Sequence, residues 1–258
     1  MDLRLNRIAL ETIVLKEFNR IVRIWLQTIV PPAITMTLYF VIFGSLIGRR
    51  VGTMEGFDYM QYIAPGLIMM SVITNSYGNV VSSFFGAKFG RHIEEMLVSP
   101  MSYATIIVGH VAGGVIRGLM VGGLVTLVAL AFTDGLSVEH PFVTASMVIL
   151  TSIVFSLGGF INALFARKFD DIAIIPTFVL TPLTYLGGVF YSISLLPEVW
   201  QKISLLNPIL YMVNAFRFGV LGTSDIDIRL AYVIVSVFVV LLFALSFALL
   251  KRGIGIRE

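Results

Sequence analysis

The stretch Phe84–Tyr103 reads FFGAKFGRHIEEMLVSPMSY and separates two long apolar runs of the chain. Unlike the runs on either side of it, this stretch is short and charged. Its charged residues Lys88, Arg91, Glu94 and Glu95 follow one another at intervals of up to three residues. Such intervals bring side chains together on one side of a helix. The stretch therefore predicts a charged helical connector between two membrane spans.

The apolar residues of the same stretch predict a second face. Ile93, Met96 and Leu97 repeat at helical spacing. Ser99-Pro100 predicts the end of the helix, because the residue before a proline is pushed out of the helical region. We expect a short amphipathic helix on the cytoplasmic surface that is presented to a soluble partner. A solvated connector without a partner fits the same pattern.

Composition places the whole chain in a membrane. Of its 258 residues, 57% are hydrophobic and 13% are charged, whereas soluble domains average about 25% charged residues. The sequence contains no cysteine, which excludes disulfides and thiolate metal sites. The net charge of +3 comes from basic residues in loops between apolar runs. That placement indicates membrane topology and no nucleic-acid partner.

The chain divides into an amphipathic N-terminal segment and six apolar runs. Residues 1–24 alternate charged and apolar residues at helical spacing, which is typical of a helix in the membrane interface. Runs of about 20 apolar residues cross the hydrocarbon core. The predicted spans are Trp25–Ile47, Met60–Val81, Ala104–Phe132, Phe142–Ala166, Ile172–Tyr191 and Leu230–Leu250. We therefore predict an all-α integral membrane protein, with residues 1–258 forming a single transmembrane domain.

Residues 192–228 form an outer segment of a different kind. Their apolar runs are too short to span and are typical of re-entrant helices. Pro197 and the pair Asn207-Pro208 divide the segment into two helices, because proline suits helix starts and disrupts interiors. A small outer domain that packs on its own is the alternative.

Lysine and arginine predict the orientation, because cytoplasmic loops carry an excess of both. With the N-terminus inside, the cytoplasmic set is Arg4, Arg7, Lys16, Arg20, Arg23, Lys88, Arg91, Arg167, Lys168, Lys251, Arg252 and Arg257. The outer set is Arg49, Arg50, Lys202, Arg217 and Arg229. The larger cytoplasmic set predicts that both termini are cytoplasmic.

The positions of the acidic residues and of Arg117 indicate which classes of function suit the chain. None of the 15 acidic residues falls within the six predicted spans, and ion-coupled carriers usually keep carboxylates there. Arg117 is the fixed charge inside a span. It faces a cavity or a partner, or it reaches toward the interface along its own stem. The sequence holds no phosphate-binding Gly-x-x-x-x-Gly-Lys-Ser/Thr motif and no His-Glu-x-x-His zinc motif, so no enzyme chemistry is predicted.

The C-terminal third resembles the ABC-2 type transporter permeases. The residues that carry the resemblance are Gly187-Gly188-Val189-Phe190-Tyr191, Leu196-Pro197, Trp200, Asn207-Pro208-Ile209, Tyr211 and Phe216-Arg217. The run Glu94–Pro100 and the pair Lys16-Glu17 also resemble patterns of that family. The resemblance covers essentially the whole chain.

The resemblance implies a mechanism that the pattern alone does not. Such permeases are dimers of six-span subunits in the bacterial inner membrane, and each dimer binds two copies of a separate ATP-binding subunit. ATP and magnesium belong to that partner, so no cofactor is expected in this chain. The implied cargo is an amphipathic, lipid-like, glycan or drug molecule that moves outward.

The resemblance also assigns roles to residues. The coupling loop 84–103 and the N-terminal helix would contact the ATPase through Lys88, Arg91, Glu94, Glu95, Met96, Leu97, Lys16 and Glu17. The substrate pathway would lie between two copies and be lined by Asn75, Asn79, Arg117, Thr181 and Tyr185. The outer helices would carry Pro197, Trp200, Asn207, Pro208, Tyr211 and Arg217.

Two other classes of function stay open at this point. A membrane scaffold could recruit a cytoplasmic protein without moving a substrate. A secondary carrier is disfavoured by the missing carboxylates, although backbone carbonyls can also bind sodium. Co-purification of an ATPase whose turnover depends on this chain separates the exporter from both alternatives.

Overall fold

The computed structural model describes residues 3–133 and 135–255, without the side chains of Ser45 and Arg49. Arg257, which was assigned to the cytoplasmic set, lies outside the described residues, as do the first two and last three residues of the predicted 1–258 domain. The described part is almost entirely helical.

The N-terminal part consists of two helices and a small hairpin. Helix α1 spans Leu3–Arg23, and α2 spans Trp25–Phe40 and continues as π-helical turns over Val41–Gly48 and a single turn, α3, over Arg49–Val51. Strands β1 (Thr53–Met54) and β2 (Phe57–Asp58) pair antiparallel. Their two-residue turn has positive φ at both Glu55 (52°) and Gly56 (87°), which suits the twist of a tight hairpin.

Helix α4 is the central element of the fold. It spans Tyr59–Phe89, and its first turn is capped by the Asp58 carboxylate, which accepts a hydrogen bond from the Met60 backbone N–H. Most of its side chains are buried. Its main neighbours are α6, Tyr103–Phe132, and α7, Pro141–Phe165. Most polar residues on α4 therefore face protein instead of lipid, so a helix of only moderate hydropathy can lie at the centre.

Glycines let the helices around α4 approach closely. Helix α1 crosses α6 at Gly109 and Gly113, where an added Cβ would lie 2.6 Å from Ile13 Cγ2 and 2.7 Å from Glu17 Cβ. Small residues at a spacing of four allow this kind of backbone contact in membrane proteins. The glycine-rich face of α6 thus fixes the position of the N-terminal helix inside one subunit.

The C-terminal part is more broken. It contains α8 (Asp171–Ile175), π-helical turns (Pro176–Leu180), α9 (Thr181–Tyr185), a 3₁₀ turn (Ile193–Leu195), α10 (Glu198–Leu205), α11 (Pro208–Leu221) and α12 (Ile228–Arg252). Helix α5, His92–Val98, lies between α4 and α6. Helices α10 and α11 meet at 89°. Proline removes a backbone donor, which accounts for the interruption at Pro176.

The structure confirms an all-α membrane protein apart from the short hairpin. Within the described residues, four helices are long and apolar enough to span a membrane, or five if the bent pair α10–α11 is one span. The four are Trp25–Gly48, Tyr103–Phe132, Pro141–Phe165 and Ile228–Arg252. Helix α4 is long enough but more polar, and the α8–α9 segment is shorter. The six-span arrangement and the re-entrant outer helices stay predictions.

Candidate transport groove and coupling surface

A stripe of mostly small side chains on α4 marks the open side of the molecule. Met70, Thr74, Gly78, Ser82 and Gly86 follow one another at intervals of four and are partly or fully exposed, whereas most other α4 residues are buried. A Cβ added to Gly78 or Gly86 would meet nothing within 4 Å. The stripe is therefore the floor of a groove that no described part of the chain fills.

Two cavities line this groove on opposite sides of the stripe. One, of about 300 Å³, lies between α2, α4 and α6 and includes Asn75 and Arg117. The other, of about 160 Å³, lies between α4 and the α8–α9 segment and includes Thr181. Met70 and Thr74 line both cavities, which makes the two cavities parts of one groove.

The structure brings together three of the five predicted pathway residues. Asn75, Arg117 and Thr181 line the two cavities. Tyr185 lies at the end of α9, with its hydroxyl oxygen 3.4 Å from that of Tyr39. Asn79 has no exposed surface and belongs to a separate polar network. In a single chain, Asn79 therefore does not line the groove.

That polar network joins α1 to α4 through a buried carboxylate. Glu17 has no exposed surface. Its carboxylate accepts hydrogen bonds from the Ser83 hydroxyl and from Arg20 Nη2, the latter at 3.1 Å. Arg20 Nη2 also donates to Asn79 Oδ1 at 2.7 Å. Glu17 was expected at the ATPase contact, but here it holds the N-terminal helix against α4. Lys16, its neighbour, is exposed.

The network contains residues that sequence reasoning missed. Ser83 was not singled out, and Arg20 was counted only as a topology charge. The available signal was the spacing of Asn79 and Ser83, which places two polar side chains on one face of α4. Their partner on α1 could not be read from that spacing, because the contact joins segments far apart in sequence.

The end of α4 leads directly into the predicted coupling surface. Gly90 ends α4, and Arg91 has a left-handed φ of 58° that turns the chain into α5. Glu94 and Glu95 are exposed on α5, and Val98 is 87% exposed. This face combines two carboxylates with an apolar side chain that has no cover in the described structure.

Other residues of the predicted coupling set face inward. Ile93 is 2% exposed, and Met96 and Leu97 pack partly buried against the core. Lys88 Nζ donates to the carbonyl oxygens of Leu164 and Ala166, each at 2.7 Å. A cation at these terminal carbonyls stabilises the C-terminal end of α7. These inward contacts fix α5 and the end of α4 to the membrane part.

A buried arginine organises the opposite end of the molecule. Arg217 on α11 is 1% exposed. Its guanidinium donates to the Gly188 carbonyl at 2.6 Å, to the Tyr62 carbonyl at 3.3 Å and to Asn214 Oδ1 at 3.3 Å. It also lies 4.1 Å from the centre of the Tyr62 ring, a cation–π contact. Asn214 in turn accepts from the Asp225 N–H. One side chain thus ties together α4, the loop after α9 and α11.

The remaining predicted outer residues build the corner between α10 and α11. Asn207 donates to the Leu183 carbonyl at 2.6 Å and caps α11 by accepting from the Ile209 N–H. Tyr211 donates its hydroxyl to the Leu205 carbonyl at 2.8 Å. Pro197 and Pro208 stand at the starts of α10 and α11, and Trp200 is 48% exposed on α10.

A carboxylate outside the spans fixes the turn between α7 and α8. Asp171 accepts hydrogen bonds from the backbone N–H groups of Arg167 and Lys168, at 2.9 and 3.1 Å. These bonds favour the ionised form and lower the pKa of Asp171. Above that pKa, the carboxylate holds the turn that leads into the broken helix.

Comparison with known proteins identifies the group to which this architecture belongs. The family model "ABC-2 type transporter" matches residues 9–221, which include most of α1, the groove, α5 and the α10–α11 corner. The chain belongs to the ABC-2 type transporter family. It is similar to the inner membrane transport permease YadH of Escherichia coli strain K12, with 56% identity over 97% of this chain and 98% of that protein.

More distant relatives share most of the chain. Nodulation protein J of Rhizobium leguminosarum bv. viciae is 25% identical over 83% of both chains. Nodulation protein J of Sinorhizobium fredii is 26% identical over 81% of this chain and 80% of that protein. Together with the apolar helices, these matches make the chain a multi-pass transport permease of the bacterial inner membrane.

Proposed function

We propose that this chain is the permease subunit of an ATP-driven exporter, powered by two copies of a separate ATP-binding subunit. Family membership supports this proposal. The chain carries no phosphate-binding motif of its own, so the work of transport must reach it through a surface. ATP and magnesium act in the partner, and no enzyme chemistry is assigned to this chain.

The observation that carries the proposal is the continuity of α4. This helix runs without a break over 31 residues, from the outer hairpin past the groove to the turn before α5. At a rise of 1.5 Å per residue, its length is about 45 Å. A force applied to α5 therefore acts on the same helix that forms the floor of the groove.

The coupling surface consists of the exposed part of α5. Arg91, Glu94 and Glu95 offer charges to a partner, and Val98 offers an apolar contact. The buried Ile93 and the bonds of Lys88 fix this surface to the membrane part. Exposed Lys16 on α1 is close to the Glu17 network and gives the ATPase a second point of contact.

The substrate pathway follows the groove between two copies of the chain. A second copy would cover the open stripe on α4, where the positions of Gly78 and Gly86 leave room for close approach. The cargo is an amphipathic, lipid-like, glycan or drug molecule, because the groove joins apolar walls to a few polar groups. Both termini are cytoplasmic, and the α10–α11 corner lies at the outer end.

Charge reversal on α5 tests the coupling role. The double variant Glu94→Lys and Glu95→Lys should insert and fold normally, since both side chains are exposed, but should bind the ATPase at least about tenfold more weakly, because losing an interfacial charge pair costs on the order of 2–5 kcal/mol. The measurement is co-purification of the ATPase, with thermal stability as the folding control.

A matched control reverses two exposed carboxylates at the opposite end. Glu139→Lys with Glu198→Lys changes the net charge by the same amount, and both side chains are exposed. This control should bind the ATPase as the wild type does. Undiminished binding by the α5 variant would remove the coupling role of this surface.

A further inference from the structure

The cavity around Arg117 holds a cation that the protein does not neutralise. Among the described residues, Arg117 forms no hydrogen bond and no ion pair, and its Nε atom is shielded from solvent without a partner. The charged neighbour that acts on it is Arg20, also a cation. Arg20 is paired with Glu17 at 3.1 Å. The cavity therefore carries net positive charge.

An unpaired, partly buried cation in an apolar helix is unfavourable unless another group compensates its charge. The guanidinium group is planar and suits oxygen pairs such as those of phosphate and carboxylate. Asn75 and Gln27 line the same cavity, and their side-chain amides are further donors for an anion. An anionic group is thus the ligand that this set of side chains fits.

The walls of the cavity indicate what carries the anion. Apart from its polar groups, the cavity is lined by Pro31, Pro32, Met36 and Met70. Gln27, Pro31, Thr35 and Thr74 are exposed, so the cavity opens to the outside of the single chain. A charged end beside apolar walls suits an amphiphile better than a free ion.

The position of Arg117 along α6 places it close to the cytoplasmic interface. Helix α1 crosses α6 at Gly113, where a Cβ would lie 2.7 Å from Glu17 Cβ. Arg117 lies one turn further along α6, about 6 Å at 1.5 Å per residue. An interface helix lies about 5–10 Å into the boundary between head groups and acyl chains. With α1 in the cytoplasmic interface, Arg117 lies about 6 Å deeper than this crossing, on the acyl side of the head groups, and its long side chain can reach a head group that enters the cavity.

We propose that the cavity between α2, α4 and α6 binds the negatively charged head group of a membrane amphiphile, with Arg117 as the residue that selects for the charge. The amphiphile enters from the cytoplasmic leaflet and lays its apolar part along the groove. As a statement about cargo, this inference rests on the exporter function proposed above.

Binding of short-chain lipids to the full-length chain in neutral detergent tests the proposal. Dihexanoyl phosphatidic acid, dihexanoyl phosphatidylcholine and inorganic phosphate are titrated separately, and bound ligand is measured by native mass spectrometry. The wild type should retain the anionic lipid in preference to the zwitterionic one, and inorganic phosphate should not displace it. Arg117→Gln should weaken binding of the anionic lipid by about tenfold or more.

Two further variants separate charge recognition from folding and from general attraction. Arg117→Lys keeps the charge without the planar fork, so it should recover part of the affinity. Arg229→Gln removes an exposed cation at the other end of the molecule and should bind like the wild type. A thermal unfolding midpoint for each variant shows that the chain is folded.

Several results would overturn the proposal. The first is equal binding of the anionic lipid by the wild type and Arg117→Gln. The second is equal retention of the anionic and the zwitterionic lipid by the wild type. The third is displacement of the anionic lipid by inorganic phosphate at similar concentrations. None of these readings involves the ATPase. Loss of ATPase coupling with intact lipid selectivity would therefore count against the exporter function alone. Intact ATPase coupling without lipid selectivity would count against this site alone.

Discussion

Arg217, which is buried, and Arg117, which is partly exposed, show opposite ways of holding a charge inside a membrane protein. Arg217 is surrounded by partners: two carbonyl oxygens, an amide oxygen and the ring of Tyr62. Arg117 lies in an open cavity and makes no hydrogen bond or ion pair with any described residue. Both side chains belong to apolar segments, although the sequence places Arg117 in a predicted span and Arg217 in the outer segment.

This difference in hydrogen bonding distinguishes an arginine that stabilises the fold from an arginine whose charge is available to a ligand. A buried cation is stable when hydrogen bonds replace the water it has lost. Arg217 meets this condition and joins three parts of the chain. Arg117 has no such bonds to the described residues, so its charge is available to a ligand that enters the groove. The satisfied bonds of Arg217 thus indicate a structural role, and the missing bonds of Arg117 are the reason for proposing it as the residue that binds an anionic ligand.

The largest effect is expected at Arg217. Arg217→Met keeps much of the apolar stem but leaves the carbonyls of Tyr62 and Gly188 without their donor. We expect a loss of stability of about 3 kcal/mol, since breaking a buried charged contact costs this much. The measurement is the thermal unfolding midpoint and the folded yield in detergent.

Arg229→Met is the matched control for Arg217, because Arg229 is an exposed arginine on the same side. This control should unfold at the same midpoint temperature as the wild type. If Arg217→Met were as stable as Arg229→Met, the hydrogen bonds of Arg217 would not hold the outer end together.

An intermediate effect is expected at Glu17. Glu17→Gln keeps the shape but removes the charge that pairs with Arg20, so we expect a loss on the order of 2 kcal/mol. Glu11→Gln is the matched control, because it breaks an exposed pair with Arg7, whose atoms are 2.8 Å apart, and exposed pairs contribute little. Equal midpoints for the two variants would contradict the structural role of the buried carboxylate.

The smallest effect on stability is expected at Arg117. Arg117→Leu removes an uncompensated charge, so the unfolding midpoint should stay the same or rise, while transport falls. Folded yield and transport are measured on the same preparations. A parallel fall of both would make Arg117 structural and would abolish the contrast with Arg217. No change in either would mean that the charge only reaches toward the interface.

Local patterns predicted the elements well, because helices depend on short-range periodicity. The helix at His92–Val98 and its end near Ser99 follow from the spacing of Ile93 and Leu97 and from Pro100. The apolar runs likewise predicted the long helices. The separation of α10 from α11 follows from Pro208, whereas the predicted span Ile172–Tyr191 is helical only as far as Tyr185 and has π-helical turns from Pro176.

The partners of side chains could not be predicted in the same way. Lys88 shares helical spacing with the charges of α5, but the turn at Gly90 and Arg91 separates them, and Lys88 instead caps α7. Glu17 belongs to the polar face of α1, yet it is buried because Gly113 lets α6 come close. Such contacts join distant segments, so they require the three-dimensional structure.

In the proposed mechanism, this chain couples a separate ATPase to the membrane groove through α5. The most direct measurement is the rate of ATP hydrolysis by the purified ATPase with liposomes. Three samples are compared: liposomes without this chain, liposomes with the wild-type chain, and liposomes with the Glu94→Lys, Glu95→Lys variant. We predict that the wild-type chain changes the turnover and that the variant does not. Identical turnover in all three samples would contradict the claim.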